Sequence, residues 1–175
     1  MTINKIAIIK YGLGNIASVK NAINNIGIEY EIVENPKDLY KYKNLILPGV
    51  GNFSKAMSII NSNGWKENIL EAVNSYKRPI LGICLGMQLL ASWGHELGLE
   101  SENDRVRGLG LIEGEVRKLN FLGCLERIPH VGWNGLVDLQ SHEIFEGIEE
   151  NTDFYFVHSY AFITKNTKHL LAIAE

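Results

Sequence analysis

Cysteine is scarce in this chain: Cys84 and Cys124 are its only two among 175 residues. A pair cannot build a disulfide framework for a chain of this size, which excludes the small secreted disulfide scaffolds. Long apolar runs are missing as well, since no stretch approaches the roughly 20 residues a bilayer-spanning helix needs. Met1 to Lys10 lacks the layout of a secretory leader. Charge of one sign is not concentrated either. The formal net charge of −3 gives nucleic acid or an anionic membrane surface nothing to be drawn to. Internal repeats, low-complexity stretches and linker-like runs are absent. These absences together describe a reduced, cytoplasmic protein with no nucleic-acid and no membrane partner.

Apolar residues make up 46% of the chain and charged residues 21%, as in an ordinary globular protein. With no shift in composition along its length, residues 1–175 read as a single domain. The first half alternates short β-rich runs with helical ones. KIAIIK (Lys5 to Lys10) is apolar without alternation, the mark of a strand buried on both faces. Asn15 is placed to cap a helix with Ile16, Val19, Ile23 and Ile26 on one face, and Gly27 to end it in a left-handed turn. YEIVE (Tyr30 to Glu34) and NLILP (Asn44 to Pro48) read as further strands, with a helical piece at Lys37 to Tyr42 between them. Helices are predicted over Ser54 to Asn61 and Trp65 to Ser75, and Pro79 opens the strand ILGI. Strands alternating with helices imply a parallel sheet covered on both faces. After about Leu99 the segments LGLIEGEVRKL, PHVGWNGLVDL and FYFVHSYAF are strand-like, and antiparallel strands are expected on that sheet's edge. The fold class is thus α/β, three layers (αβα) around a mixed, mostly parallel central sheet.

The chemistry centres on PILGICLGMQLL, Pro79 to Leu90. Gly82-Ile83-Cys84-Leu85-Gly86 has the form of a nucleophile elbow, with cysteine where many hydrolases carry serine. A sharp strand-to-helix turn strains the central residue, and side chains on its neighbours would collide. Such a turn lifts the sulfur above the sheet's carboxyl edge, where open α/β sheets bind ligands. It also sets the sulfur at a helix N-terminus, whose partial positive charge favours thiolate. The Leu85 amide is then placed to stabilise an oxyanion. Pro48-Gly49-Val50-Gly51-Asn52-Phe53 follows the preceding strand, so its turn should lie at the same edge with backbone N–H groups facing an anion. Taken singly, the cysteine could be a small buried hydrophobe and PGVG a tight turn.

Together with KYGLGN, LPGVGNF, Pro129-His130-Val131-Gly132-Trp133-Asn134 and Phe156-Val157-His158-Ser159-Tyr160, these stretches resemble the class I glutamine amidotransferases. Within that class they are most similar to the glutaminase subunits of histidine biosynthesis. The resemblance implies the following roles. Cys84 is the nucleophile that forms a γ-glutamyl thioester and frees ammonia. Amides around Val50 and Gly51, with Leu85, form the oxyanion hole. Gly49, Gln88, Glu96, Ser159 and Tyr160 contact the glutamine, and Trp133 and Asn134 face the partner. That partner is a synthase (cyclase) subunit with a (β/α) barrel, joined in a heterodimer that makes imidazole glycerol phosphate and aminoimidazole carboxamide ribotide. No metal and no organic cofactor are implied, because the thioester route needs neither.

One departure from the family is plain. Members carry a His-Pro-Glu near their end that supplies the base, and no His-x-Glu occurs in this chain. The expectation is a C-terminal end truncated before that motif, and feeble glutamine hydrolysis by the 175 residues alone. Three other readings compete. A paralogous subunit would feed ammonia to a sugar-modifying synthase. A non-catalytic subunit would only bind its synthase. A dinucleotide-binding domain would use Gly12-Leu13-Gly14-Asn15-Ile16-Ala17 as G-x-G-x-x-A, with Glu34 on a ribose.

Overall fold

A computed structural model describes residues 3–95 and 105–174. Four strands form a parallel sheet in the order β2-β1-β3-β4: β1 (Ile3–Ile9), β2 (Tyr30–Val33), β3 (Tyr42–Gly49) and β4 (Ile80–Cys84). The run from β1 to β2 moves one way across the sheet and the run from β3 to β4 the other. Right-handed crossovers then place their helices on opposite faces. The packing agrees. Ile8 and Ile46 point to α1 (Ile16–Asn25), where they meet Val19 and Ile23. Their strand neighbours Ala7, Ile9, Leu45 and Leu47 point the other way, into a larger core with Phe53, Met57 and Ile60 of α2 (Phe53–Ser62) and Trp65 and Ile69 of α3 (Trp65–Asn74). Over β1 and β3 both faces are covered, which is why KIAIIK and NLILP show no polar alternation. On β4 the side chains of Leu81 and Ile83 are exposed, so the expected cover on both faces does not reach that edge.

The local signals act as read. Asn15 Oδ1 accepts from the Ser18 amide, and Gly27 takes φ 72° beyond the helix. The piece before β3 is a 3-10 turn, Pro36–Lys41. Ile26 departs from expectation: it lies past the last helical residue and is 67% exposed, because the helix ends before its fourth apolar turn reaches the sheet.

The second half departs further. Its strands do not extend the edge of the parallel sheet but form two sheets of their own. One, in the order β10-β7-β5-β6, joins β5 (Ala91–Gly94), β6 (Val106–Arg107), β7 (Ile112–Lys118) and β10 (Tyr160–Thr164). It is mixed, since β5 and β7 run parallel while the outer pairs are antiparallel. The other, β11-β8-β9, joins β8 (His130–Val137), β9 (Asp153–His158) and β11 (Ile173–Ala174). The cause lies just after the elbow. The helical run reaches only from Leu85 to Gln88 (α4), and the backbone beyond it pairs with a distant segment: the Leu109 amide donates to Leu89 O and the Ile112 amide to Leu90 O. That pairing turns the chain across α2, where bare Gly94 lies against the Phe53 ring. FYFVHSYAF, a single apolar run in sequence, divides at Ser159 between the two added sheets. Among the described residues no helix is long and apolar enough to cross a membrane.

Candidate active site

Cys84 ends β4 at φ 55°, ψ −120°, a region L-residues rarely occupy, and its side chain is exposed. Conformations of this kind cost on the order of 1–3 kcal/mol and persist only where the surroundings enforce them. Here the glycines allow the enforcement. A Cβ on Gly82 would lie 2.4 Å from Met87 Cα, and one on Gly86 would lie 1.8 Å from the Leu47 carbonyl oxygen. The turn of α4 therefore folds straight down onto the ends of β3 and β4, backbone on backbone, and the thiol is left standing at the rim.

The ladder register sets Gly49 opposite Cys84. A Cβ on Gly49 would meet the Gly86 nitrogen at 2.5 Å, so this strand end also has to be bare. The chain then leaves the sheet through half-exposed Val50 and through Gly51 at φ 94°, after which Asn52 caps α2. Leu85, the first residue of α4, carries an amide outside the helix's own hydrogen bonds. Gly49, Val50, Gly51 and Leu85 are thus gathered around one strand end. The helix following the sulfur is a single turn, shorter than the sequence suggests, so few peptide dipoles add up behind Cys84.

Across from α4 stands the corner between the two added sheets. Gln88 Nε2 donates to the Tyr160 carbonyl at 3.2 Å, and the Ser159 carbonyl accepts from the Leu119 amide at 2.9 Å. Gln88, Ser159 and Tyr160 are all half-buried. Glu96 lies outside the described residues. Trp133 and Asn134, adjacent on β8, point to opposite faces of the ribbon. Trp133 is 69% exposed and touches the Tyr155 ring, 5.4 Å between centroids, while Asn134 Oδ1 faces His130 Nε2 at 2.9 Å. Val131 and Val157, register partners and both exposed, extend the Trp133–Tyr155 pair into an apolar strip. Sequence reasoning missed Tyr155, Val131 and Val157 in this role. The alternation along VGW and YFV was the available signal.

Four histidine rings have partners away from Cys84. His95 contacts Glu115 at 2.8 Å, His130 and His158 contact each other at 3.0 Å, and His142 accepts from the Ile144 amide. No cluster of three potential metal ligands occurs among the described residues. Two shallow cavities of about 350 and 410 Å³ open elsewhere, one beside Trp93, Glu115 and Lys165, the other beside Asp138, Gln140 and Leu170. The dinucleotide layout is not supported. Glu34, which should reach a ribose, is held by Lys10 at 2.6 Å, and Gly14 packs against Pro48.

Residues 7–174 match the family model described as "Glutamine amidotransferase class-I". The chain is 47% identical over 155 residues to "Imidazole glycerol phosphate synthase subunit HisH 1" of Campylobacter jejuni subsp. jejuni serotype O:23/36 (strain 81-176), covering 89% of this chain and 74% of the relative. To "Imidazole glycerol phosphate synthase subunit HisH" of Geobacillus sp. (strain WCH70) it is 42% identical over 170 residues, covering 95% of this chain and 77% of the relative. Among solved structures, "Crystal structure of glutamine amidotransferase" superposes with TM-score 0.70 at 20% identity, covering 95% of this chain and 78% of that one. "Structure of PurLQS from Thermotoga maritima" gives 0.67 at 15% identity, covering 99% of this chain and 75% of that one. At such identities these two likenesses speak for the fold alone.

Proposed function

The chain belongs to the class-I glutamine amidotransferase family, and from that premise we propose that it is the glutaminase subunit of an imidazole glycerol phosphate synthase in histidine biosynthesis. The observation that carries the reading is the strained, exposed Cys84 beside Gly49 on the sheet rim. The Cys84 thiolate attacks the glutamine carboxamide carbon, forming a C–S bond as the carbonyl π electrons move onto oxygen. Amides of Val50, Gly51 and Leu85 receive that oxyanion. Its collapse expels the amide nitrogen, which leaves as ammonia after protonation, and water then cleaves the γ-glutamyl thioester to glutamate and free thiol.

Gly49, Gln88, Glu96, Ser159 and Tyr160 hold the glutamine. Ammonia passes to a synthase subunit, a (β/α) barrel in a cytoplasmic heterodimer, and the exposed Trp133 strip is the surface that meets it. Thioester chemistry of this kind requires no metal or organic cofactor. Since His130 and His158 are engaged with each other and no His-x-Glu is present, the 175 residues alone should turn glutamine over slowly.

The test is reconstitution with the synthase subunit. Cys84→Ala should abolish synthesis driven by glutamine and leave synthesis driven by added ammonium intact. Loss of both would contradict this division of labour.

A further inference from the structure

We infer that His158 is a positioning residue for the glutamine site, holding the Tyr160 carbonyl against Gln88 with its own ring fixed by His130. The inference rests on the glutaminase reading above. The Tyr160 carbonyl oxygen accepts twice, from Gln88 Nε2 at 3.2 Å and from His158 Nδ1 at 3.0 Å. A carbonyl only accepts, so the His158 proton sits on Nδ1. In the neutral ring Nε2 is then a bare lone pair. It lies 3.0 Å from His130 Nδ1, which must donate to it. The remaining His130 nitrogen is 2.9 Å from the Asn134 amide, which can present either its oxygen or its NH2 group, so both charge states of His130 close the chain. Phe156 stacks on the His130 ring, 5.7 Å between centroids at 21°, and His158 meets it edge-on.

The path joins parts of the molecule that are otherwise separate. His130 and His158 are register partners on β8 and β9, Tyr160 opens β10 in the other added sheet, and Gln88 ends the turn that begins at Cys84. Between β9 and β10 only Ser159 intervenes; its carbonyl is held from one side by the Leu119 amide. The His158–Tyr160 bond holds the other side of that corner, the side that faces Gln88. Two histidines merely filling space beside Phe156 would require no particular tautomer, and Tyr160 would face Gln88 whatever stood at 158.

The distinction can be measured on the whole chain. Long-range 15N–1H spectra of the imidazoles should show His158 protonated at Nδ1 and bare at Nε2 at neutral pH; the opposite tautomer overturns the inference, and this readout needs no variant. The second readout is the glutamine concentration that half-protects Cys84 from iodoacetamide. Losing one neutral hydrogen bond at the pocket wall should raise it about fivefold in His158→Leu. In His158→Asn, whose amide keeps a donor near the Nδ1 position, it should return to within about twofold of the parent. A His158→Leu value equal to the parent's, or a His158→Asn value as weak as leucine's, overturns the positioning role while leaving the glutaminase reading intact. No protection by glutamine in the parent chain contradicts the glutaminase reading itself and takes this inference down with it.

Discussion

Gly49 and Cys84 stand opposite each other across the parallel ladder of β3 and β4, and the backbone of Gly86 closes over both. Neither strand end could carry a larger residue at its glycine without pushing α4 off the sheet. The strain at Cys84 is therefore imposed by the same close packing that leaves the thiol exposed.

Glycines around the elbow should differ in cost by cause. Gly86→Ala would set a methyl 1.8 Å from the Leu47 carbonyl oxygen, in a region of backbone on backbone that cannot yield. Overpacking of that severity should cost about 3 kcal/mol or more. Gly51→Ala meets open space and bears only its left-handed φ of 94°, a penalty of about 1–2 kcal/mol. Urea unfolding of the two variants checks this ranking, and equal midpoints would contradict the packing account.

Relief of strain at the nucleophile should be visible without any substrate. Glycine tolerates φ 55°, ψ −120° where alanine does not. After the entropy glycine loses on folding, Cys84→Gly should still unfold about 1 kcal/mol harder than Cys84→Ala. Denaturant titration decides it; an alanine variant as stable as the glycine one would mean the turn carries no stored strain.

Acid should act in part through Glu115. Burial pushes its carboxyl up, but the Arg117 and His95 hydrogen bonds outweigh that and hold it below the ordinary value of 4.5. A depressed folded pKa stabilises fully above the unfolded value and fades as pH falls through the folded one. The gap in melting temperature between the parent and Glu115→Gln should therefore be widest above pH 4.5 and close on further acidification. A gap that stays constant down to pH 2 would contradict the assignment.

Much of the parallel half was legible because its signals are local. The unbroken apolar runs of β1 and β3, the cap at Asn15, and Gly27 each act within a few residues of themselves. The elbow was legible for the same reason: Gly82, Cys84 and Gly86 are close in sequence. The second half was not, because long-range pairing decides it. Nothing in MQLLASW announces that Leu89 and Leu90 will accept from Leu109 and Ile112 and so stop a helix after one turn. Nor does FVHSY show that the sheet changes at Ser159, or that His158 will find His130 on a strand 28 residues earlier. The resemblance set Trp133 and Asn134 together against the partner, and only the register with Tyr155 and Phe154 shows that the two meet different neighbours.

The most direct measurement is alkylation of the chain by a γ-chloroketone analogue of glutamine, read by peptide mass spectrometry. If the rim thiol is a nucleophile aimed at a bound carboxamide, chloride is displaced at Cys84, Cys124 stays unmodified, and free glutamine slows the reaction. Equal labelling of both cysteines, or labelling of Cys84 that glutamine does not slow, would contradict the account.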